Sequence, residues 1–366
     1  AALLAGVAEY YHLPPFDPTA VGRVVEEGAR RASHYHREHL TADLPALRDL
    51  AVEAGKLALA RHATPSARST RAARADAATS AAGPATRRAA RTAAPLATTA
   101  ADVEAAIAAR RTLQSGQGRL AREMVLSNHE IVPTVGAAVG QINGLGVSIS
   151  LPVEGRFAIP FRISAAVSPG AERLVDIERE AETADSSHIS GTLTMAGYLA
   201  WRYGRQRPIS VVARLRFEQE HDYTSGPSAS AAELFALLSA LADVPLRQSL
   251  AVTGAMGQHG ELQLIGGVNE KIEGFWEICR ARRARGERPE GPYGVLIPLA
   301  NADDLMLRPA VVASIVEEGW FHVWPIPDVD AGLPLLTGLP AATIHARVDR
   351  QLREFYELAR RPEVLA

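Results

Sequence analysis

The chain has 366 residues, of which 47% are hydrophobic and 22% are charged, and this is enough for a buried core and for about two domains. Lys and Arg number 39 against 41 Asp and Glu, so the net charge of −2 argues against polyanion binding by the whole chain and leaves only a local basic patch open. The single cysteine, Cys279, excludes an internal disulfide and a cysteine-based metal site and is typical of a reducing cytosol, so we expect a cytoplasmic protein.

No apolar run approaches the ~18–20 residues that a membrane-spanning helix needs, and no signal peptide is recognisable, so we expect no membrane contact. The first residue is Ala1 rather than Met, which is compatible with a fragment of a longer protein.

Only two of the 39 basic residues are lysines, Lys56 and Lys271. Coding bias towards arginine accounts for most of this preference. A desolvated lysine, however, can act as a base, and arginine cannot.

The first 62 residues have helical periodicity. Asp17 is a candidate cap for a helix that begins at Pro18 and places Val21, Val24, Val25 and Ala29 on one face. A second amphipathic run covers Leu44 to Ala60, with Leu47, Leu50, Ala51 and Ala54 on one side. The histidines between the two helices, His34, His36 and His39, could be read as a metal site, but a solvated helix face is the better interpretation because no carboxylate or cysteine accompanies them.

Residues 64–98 are rich in Ala, Thr, Ser and Arg and contain a single acid, Asp76. Such a composition has little to bury and predicts a linker or loop. Contact with nucleic acid is the alternative, since phosphates attract runs of arginine, but no aromatic side chain is interleaved to stack on bases. Thr99 then precedes a short helix over Ala100 to Arg111.

From about Ala137 the periodicity becomes that of strands. Val139 to Ile149 predicts a strand, a turn and another strand. Further strands and helices alternate over about 130–340, which predicts a mixed α/β or α+β domain, and a C-terminal helix covers Ile344 to Leu358. The predicted strands are Phe161 to Val167, Leu174 to Glu178, Ile209 to Phe217, Leu250 to Thr253, Leu262 to Ile265 and Val295 to Ile297, and the predicted helices run up to Ala200, from Ala231 to Leu241 and from Asn269 to about Arg283.

Two short segments have the chemistry of a catalytic site. Ser228 lies at the start of a helix in Gly226-Pro227-Ser228-Ala229, where free backbone N–H groups could hold an oxyanion, although an ordinary helix cap is the commoner use of such a serine. Lys271 falls in the first turn of a second helix among Ile265, Val268 and Ile272. The positive helix end and the apolar neighbours both disfavour an ammonium, as a lysine base requires, whereas the simpler alternative is a solvated lysine paired with a glutamate.

Taken together, these segments resemble the proteolytic domain of the Lon proteases, which are Ser–Lys peptidases. The stretches that carry the resemblance are Gly226-Pro227-Ser228-Ala229, Ala251-Val252-Thr253-Gly254, Gly260-Glu261-Leu262, Ile265-Gly266-Gly267-Val268-Asn269-Glu270-Lys271 and Val295-Leu296-Ile297-Pro298. The sequence looks most like B-type and Lon-like bacterial members. Residues 1–115 more weakly resemble the helical lid subdomain of AAA+ ATPases.

The resemblance implies an all-helical lid-like domain over 1–115, a Lon-type proteolytic domain over 116–340 and a C-terminal helix over 341–366. It implies Ser228 as the nucleophile, Lys271 as the general base, Thr253 as a residue that orients the lysine amine, and the backbone N–H groups of Ser228 and Ala229 as oxyanion donors. Family members often carry an acid shortly before the serine. Here Ser225 and Pro227 occupy that stretch, so Glu218, Glu220 and Asp222 are the possible substitutes.

The sequence therefore predicts a serine endopeptidase that degrades unfolded or damaged proteins, with a hexameric ring implied by the resemblance. We expect no metal and no cofactor. ATP dependence is not expected because no G-x-x-x-x-G-K-[ST] sequence occurs in the chain. Three alternatives stay open, namely a proteolytic fragment of an ATP-dependent Lon, a catalytically silent Lon-like scaffold and a nucleic-acid-associated module.

Overall fold

The computed structural model describes residues 1–32, 40–63, 96–114, 116–129, 131–150, 155–170, 173–219 and 225–360. The chain forms two compact units, Ala1–Gln114 and Ser115–Ala366. The three histidines at 34, 36 and 39 and nearly all of the Arg-rich stretch 64–98 lie outside the described residues.

The first unit is helical in its described parts. Its helices are α1 (Ala2–Tyr10), α2 (Pro18–Ala32), α3 (Leu44–Ala63) and α4 (Ala100–Gln114). The Asp17 carboxylate accepts a hydrogen bond from the Ala20 backbone N–H at 2.8 Å, so the cap predicted for α2 is confirmed. Leu4, Val24, Leu50, Ala54 and Val103 are among the residues that pack into one core between these helices.

The predicted buried face of α2 is partly wrong. Val24 is buried, but Val25 is 46% exposed, and Ala20 and Gly28 are buried instead. The reason is close packing: a Cβ atom added to Gly28 would lie only 3.5 Å from a methyl group of Leu47 on α3. The small residues of α2 therefore face the neighbouring helix, and hydrophobicity alone does not show this.

A seven-stranded mixed sheet forms the centre of the second unit. The strands of this unit are β1 (Ala137–Ala138), β2 (Gln141–Ser150), β3 (Gly155–Pro169), β4 (Arg173–Asp176), β5 (Val211–Glu218), β6 (Leu246–Arg247), β7 (Leu250–Val252), β8 (Ala255–Met256), β9 (Leu262–Gln263), β10 (Tyr293–Pro298) and β11 (Phe321–Ile326). The order in the sheet is β11-β10-β7-β2-β3-β5-β4. Strands β11, β10, β7 and β2 run parallel, β3 is antiparallel to β2 and β5, and β4 is parallel to β5.

Helices cover both faces of this sheet. They are α5 (Gly116–Leu126), α6 (Ile177–Glu180), α7 (Ser186–Tyr203), α8 (Ser230–Ala242), α9 (Val268–Ala284), α10 (Pro309–Val316), α11 (Val329–Thr337) and α12 (Ala341–Ala359). Leu250 and Val252 of β7 pack into the core that contains α7, α8 and α12, whereas Ala251 between them packs into the core that contains α9. Because successive side chains of a strand point to opposite faces, α8 and α9 lie on opposite sides of the sheet. The mixed α/β fold is therefore confirmed.

One predicted feature of the sheet is wrong. The strand–turn–strand predicted over 139–149 is the single strand β2, although Asn143-Gly144 is a common turn sequence. The Asn143 side chain is buried and donates hydrogen bonds to the carbonyl oxygens of Pro133 at 2.7 Å and Gln248 at 2.8 Å. A Cβ atom at Gly144 would lie 2.4 Å from the Phe161 ring. Both residues thus serve cross-strand packing instead of a turn.

Replacing Asn143 by alanine is expected to destabilise the second unit. The change leaves the carbonyl oxygens of Pro133 and Gln248 without this donor, at a cost of roughly 2–4 kcal/mol, which corresponds to a Tm lower by about 5–10 °C for a unit of this size. The measurement is a thermal melt beside the variant Gln263→Ala, whose amide is exposed on β9. Similar melts for the two variants would contradict the role given to Asn143.

Candidate active site

Ser228 lies in a tight 3₁₀ turn, Pro227–Ala229, immediately before α8. Gly226 enters this turn with φ of +84°, a conformation that a residue with a Cβ atom adopts only with strain. The buried Ser230 hydroxyl donates to the Pro227 carbonyl oxygen at 2.8 Å and accepts from the Met256 N–H at 3.2 Å. The Ser230 side chain therefore closes the turn and connects it to β8 by hydrogen bonds. Ser228 is half-buried in this turn.

An acidic residue from outside the serine segment holds the start of the turn. Asp185 caps α7, and its carboxylate accepts hydrogen bonds from the Ser225 hydroxyl at 2.7 Å and from the Gly226 N–H at 3.4 Å. The Ser187 hydroxyl also accepts from the Gly226 N–H, at 3.0 Å. The Ser225 and Ser187 hydroxyls and the backbone donors keep the pKa of Asp185 well below its ordinary value.

Of the three substitutes considered from the sequence, the structure describes Glu218 alone. Glu218 accepts a hydrogen bond from Ser164 on the neighbouring strand at 2.6 Å, and Glu220 and Asp222 lie outside the described residues. Asp185 is 40 residues from Ser225 in sequence, so local sequence reasoning missed it. The only sequence signal is its place as the cap of a helix, which it shares with many aspartates that touch no functional site.

Lys271 lies in the first turn of α9, on the opposite face of the sheet from α8. The helix begins after Gly267, whose φ is +68° and whose Cβ position would be 2.8 Å from a Val147 methyl group, so only glycine fits. The Asn301 side chain accepts from the Ile265 N–H and donates to the Ile265 carbonyl oxygen, both at 3.0 Å. These contacts fix the loop that leads the chain into α9 and thereby fix the position of Lys271.

The structure brings the lysine amine to the serine hydroxyl. The Nζ atom of Lys271 lies 2.9 Å from the Oγ atom of Ser228 and 3.1 Å from the Oγ1 atom of Thr253, and the lysine is only 3% exposed. Lys56, the other lysine, is exposed on α3. Two predicted site residues from distant parts of the second unit therefore meet within hydrogen-bond distance.

Burial lowers the pKa of Lys271 from its ordinary value to about 8. The cause is desolvation of the ammonium by burial, while the nearby Glu270 carboxylate raises the pKa and offsets part of the effect. A substantial fraction of the amine is therefore uncharged at mildly alkaline pH. An exposed lysine reaches that state only about two pH units higher.

Thr253 and the glycine after it hold the serine backbone. The Thr253 hydroxyl donates to the Ser228 carbonyl oxygen at 3.2 Å, and the Gly254 N–H donates to the same oxygen at 2.8 Å. In return the Ala231 N–H donates to the Gly254 carbonyl oxygen at 3.1 Å. Because its hydroxyl hydrogen is used in this way, Thr253 presents a lone pair to the lysine amine.

The two backbone N–H groups predicted as oxyanion donors belong to the same turn. Ala229 is buried and Ser228 is half-buried, and the turn continues directly into α8. The first N–H groups of a helix have no acceptor within the helix and are available to an anion. The turn can thus place donors near the serine hydroxyl.

Comparison with known proteins gives two family matches in this chain. Residues 222–317 match the Lon protease (S16) C-terminal proteolytic domain, and residues 15–66 match the AAA+ ATPase LID domain of archaeal LonB. The first match contains both Ser228 and Lys271. The resemblance to the Lon proteases is therefore confirmed: the chain carries a Lon-type proteolytic domain and a LonB-type lid region.

Curated relatives agree with these matches. A Lon protease homolog of Escherichia coli K12 is 43% identical over 227 residues, which cover 61% of this chain and 38% of the relative. A homolog of the same description from Haemophilus influenzae is 37% identical and covers 58% and 35%. An archaeal Lon protease of Archaeoglobus fulgidus is 26% identical over 87% of this chain and 42% of its own length. The chain thus spans between a third and a half of the length of these relatives.

In the parts of the chain that the structure describes, none of the helices is both long enough and apolar enough to cross a membrane.

Replacing Lys271 by methionine is expected to stabilise the protein at pH 7. The lowered pKa means that burial of the protonated amine reduces the stability of the fold by up to roughly 3 kcal/mol. The variant gains this free energy, less the contribution of the two hydrogen bonds that the amine makes to Ser228 and Thr253. The penalty is complete below the folded pKa of about 8 and disappears as the pH rises towards the unfolded value. The advantage of Lys271→Met over the wild type should therefore shrink between pH 8 and 10.

Thermal melts across this pH range measure the difference, and Lys56→Met is the matched control because it removes an exposed lysine. The control should melt like the wild type at each pH. A Lys271→Met variant that is less stable than the wild type at pH 7 would show that the amine is not under a desolvation penalty.

Proposed function

We propose that this chain is a serine peptidase in which Ser228 is the nucleophile and Lys271 is the general base. The observation that carries the proposal is the 2.9 Å separation between Lys271 Nζ and Ser228 Oγ at a buried amine whose pKa is lowered to about 8. A serine next to a lysine that can lose its proton is an accepted variant of the serine–histidine arrangement. The match to a Lon proteolytic domain supports the same reaction class.

The neutral amine of Lys271 takes the proton of the Ser228 hydroxyl as Oγ attacks the carbonyl carbon of a peptide bond. The C–N bond then breaks, and the lysine ammonium gives its proton to the leaving amine. A water molecule hydrolyses the acyl-enzyme, with the same lysine first removing and then returning a proton. General-base catalysis of this kind contributes roughly 10²–10⁴-fold to the rate. Thr253 acts by holding the amine 3.1 Å away in one orientation.

The negative charge of the tetrahedral intermediate would be stabilised by the backbone N–H groups of Ser228 and Ala229. Such donors are effective because they are fixed before the charge develops, and each contributes roughly 10²–10³-fold. The turn that carries them is fixed by Asp185 on one side and by Thr253 and Gly254 on the other. The scheme uses no metal and no organic cofactor.

The substrates that we propose are unfolded or damaged polypeptides. A turn that must receive an extended backbone beside Ser228 accepts a flexible chain more easily than a folded domain. We further propose that cleavage of a short peptide by this chain needs no added ATP, since both reacting groups are supplied by the second unit. Assembly into a hexameric ring is proposed from the resemblance to Lon proteases.

Lys271→Arg is expected to reduce peptide cleavage by about 10²-fold or more, because arginine keeps the positive charge but cannot act as the base. The assay follows hydrolysis of casein or of a fluorogenic peptide without nucleotide, with Lys56→Arg as the control that makes the same change at an exposed position. A Lys271→Arg variant that retains near-normal turnover would contradict the assignment of the base.

Ser228 is tested in the same preparation by labelling with a reagent directed at nucleophilic serines. Labelling should be lost in Ser228→Ala and retained in Ser127→Ala, which removes an exposed serine from the same unit. Absence of both labelling and cleavage in the folded wild-type chain would favour the silent scaffold over the enzyme.

The pH dependence of cleavage should follow the lysine. Because the active form is the neutral amine, kcat/KM should rise about tenfold per pH unit below the pKa of about 8 and level off above it. The Glu270 carboxylate raises this pKa, so Glu270→Gln should move the rising limb to lower pH while leaving the plateau nearly unchanged. A limb that stays in place in Glu270→Gln, or falls with increasing pH, would show that another group controls the rate.

A further inference from the structure

A second group of titratable side chains lies buried near the serine turn and takes no part in the proposed reaction. Asp176 is the last residue of β4 and caps α6, His188 lies in the first turn of α7, and Glu233 lies in the first turn of α8. Each of the three residues is at most 1% exposed. Three charged or chargeable groups have therefore been brought together out of contact with water.

Fixed hydrogen-bond donors orient two carboxylates here, those of Asp176 and its neighbour Glu178. Asp176 Oδ1 accepts from the backbone N–H groups of Glu178 at 3.1 Å and Arg179 at 3.3 Å, and its Oδ2 accepts from the Thr192 hydroxyl at 2.8 Å. Glu178, also buried, uses Oε1 to accept from the Phe217 N–H at 3.1 Å. Hydrogen bonds of this kind orient carboxylates around a metal ion in known sites.

Four buried atoms of the cluster have no hydrogen-bond partner among the described residues. They are both carboxylate oxygens of Glu233, Oε2 of Glu178 and Nε2 of His188. His188 Nε2 lies 2.8 Å from Asp176 Oδ2 without the geometry of a hydrogen bond, and 3.9 Å from Glu233 Oε1. A buried polar atom without a hydrogen-bond partner destabilises the fold. A bound ion that interacts with several of these atoms at once would remove this cost.

We propose that Asp176, His188 and Glu233 bind a divalent transition-metal ion, for which Zn²⁺ is the representative. One ligand atom from each residue lies within 4.8 Å of the others, and an ion with bonds of about 2.0–2.2 Å places its ligands roughly 3–4 Å apart. An imidazole nitrogen combined with carboxylate oxygens suits zinc and its neighbours better than magnesium or calcium. The charges also balance, since a neutral histidine and two carboxylates match a dication.

Protons are the competing partners for these atoms. A proton on Glu233 would give its carboxyl group a donor but would offer nothing to Nε2 of His188, which lies 3.9 Å from Glu233 Oε1. One metal ion, by contrast, can bind a lone pair from each of Asp176, His188 and Glu233 at the same time.

The position of the site connects it to the serine turn. The ion would join the end of β4 to the first turns of α7 and α8. Helix α7 contains Ser187 and is capped by Asp185, and both residues contact the start of the serine turn. Helix α8 directly follows the turn that contains Ser228. Its effect is expected on the stability of the second unit. The inference does not depend on the proposed peptidase activity, because metal content and melting temperature can be measured on an inactive protein.

The test is made on the full chain, produced without a metal-binding tag in medium supplemented with Zn²⁺ and freed of loose metal by gel filtration. Elemental analysis should find about one zinc per chain in the wild type, and at least about tenfold less in Glu233→Gln and His188→Gln. Glu290→Gln, which makes the same change at an exposed position, should keep its zinc. A strong chelator should lower the melting temperature of the wild type and leave that of Glu233→Gln unchanged.

Protein produced with Co²⁺ gives a second readout that needs no variant, since cobalt bound by a histidine and carboxylates absorbs visible light. Zinc below the background of the preparation, or colourless cobalt-grown protein, would overturn the proposal. Equal zinc in the wild type and Glu233→Gln would also overturn it and would identify an adventitious ion only. In that case Glu233→Gln should be at least as stable as the wild type, because it removes a buried titratable carboxyl group.

Discussion

The arrangement of the second unit depends on keeping one lysine amine away from water. A buried ammonium is costly. The amine can therefore lose its proton at mildly alkaline pH, because burial lowers its pKa to about 8. The Ser228 and Thr253 hydroxyls, 2.9 Å and 3.1 Å away, give the amine hydrogen-bond partners that do not require a charge. Burial and reactivity therefore favour the same protonation state at this position, since the state that the core tolerates best is also the state that can act as a base.

Sheet topology explains how the two reacting groups meet. Ser228 precedes α8 on one face of the sheet, and Lys271 begins α9 on the other. Side chains from opposite faces can approach each other only beyond the end of a strand, and Thr253 follows directly after the last residue of β7. The site thus lies at the carboxyl end of β7, where parallel neighbours place polar loop residues together. The hydrogen bonds of Thr253 and Gly254 to the Ser228 backbone connect the two sides.

Local signals in the sequence predicted most of the fold and of the candidate site. The features that were not predicted depend on contacts between segments that are distant in the sequence. The mixed α/β fold, the cap at Asp17 and the serine and lysine segments follow from short motifs and periodicity, because turn, cap and helix preferences are properties of neighbouring residues. The Asn143-Gly144 pair was misread because a buried amide that bonds to Pro133 and Gln248 outweighs its turn preference. Asp185 and the cluster of Asp176, His188 and Glu233 were not predicted, since each combines residues that only the folded sheet brings together.

The expectation of no metal rested on the single cysteine and on the lack of a carboxylate or cysteine beside His34, His36 and His39, and it illustrates how far a motif search reaches. Asp176, His188 and Glu233 are spread over three elements, so no spacing rule describes them. Their common property is that buried acceptors outnumber buried donors, which a sequence does not show. The same helices α7 and α8 carry these acceptors and fix the serine turn. Whatever satisfies the Glu233 carboxylate therefore also determines how firmly the start of α8 is held, and with it the position of the hydroxyl that faces Lys271.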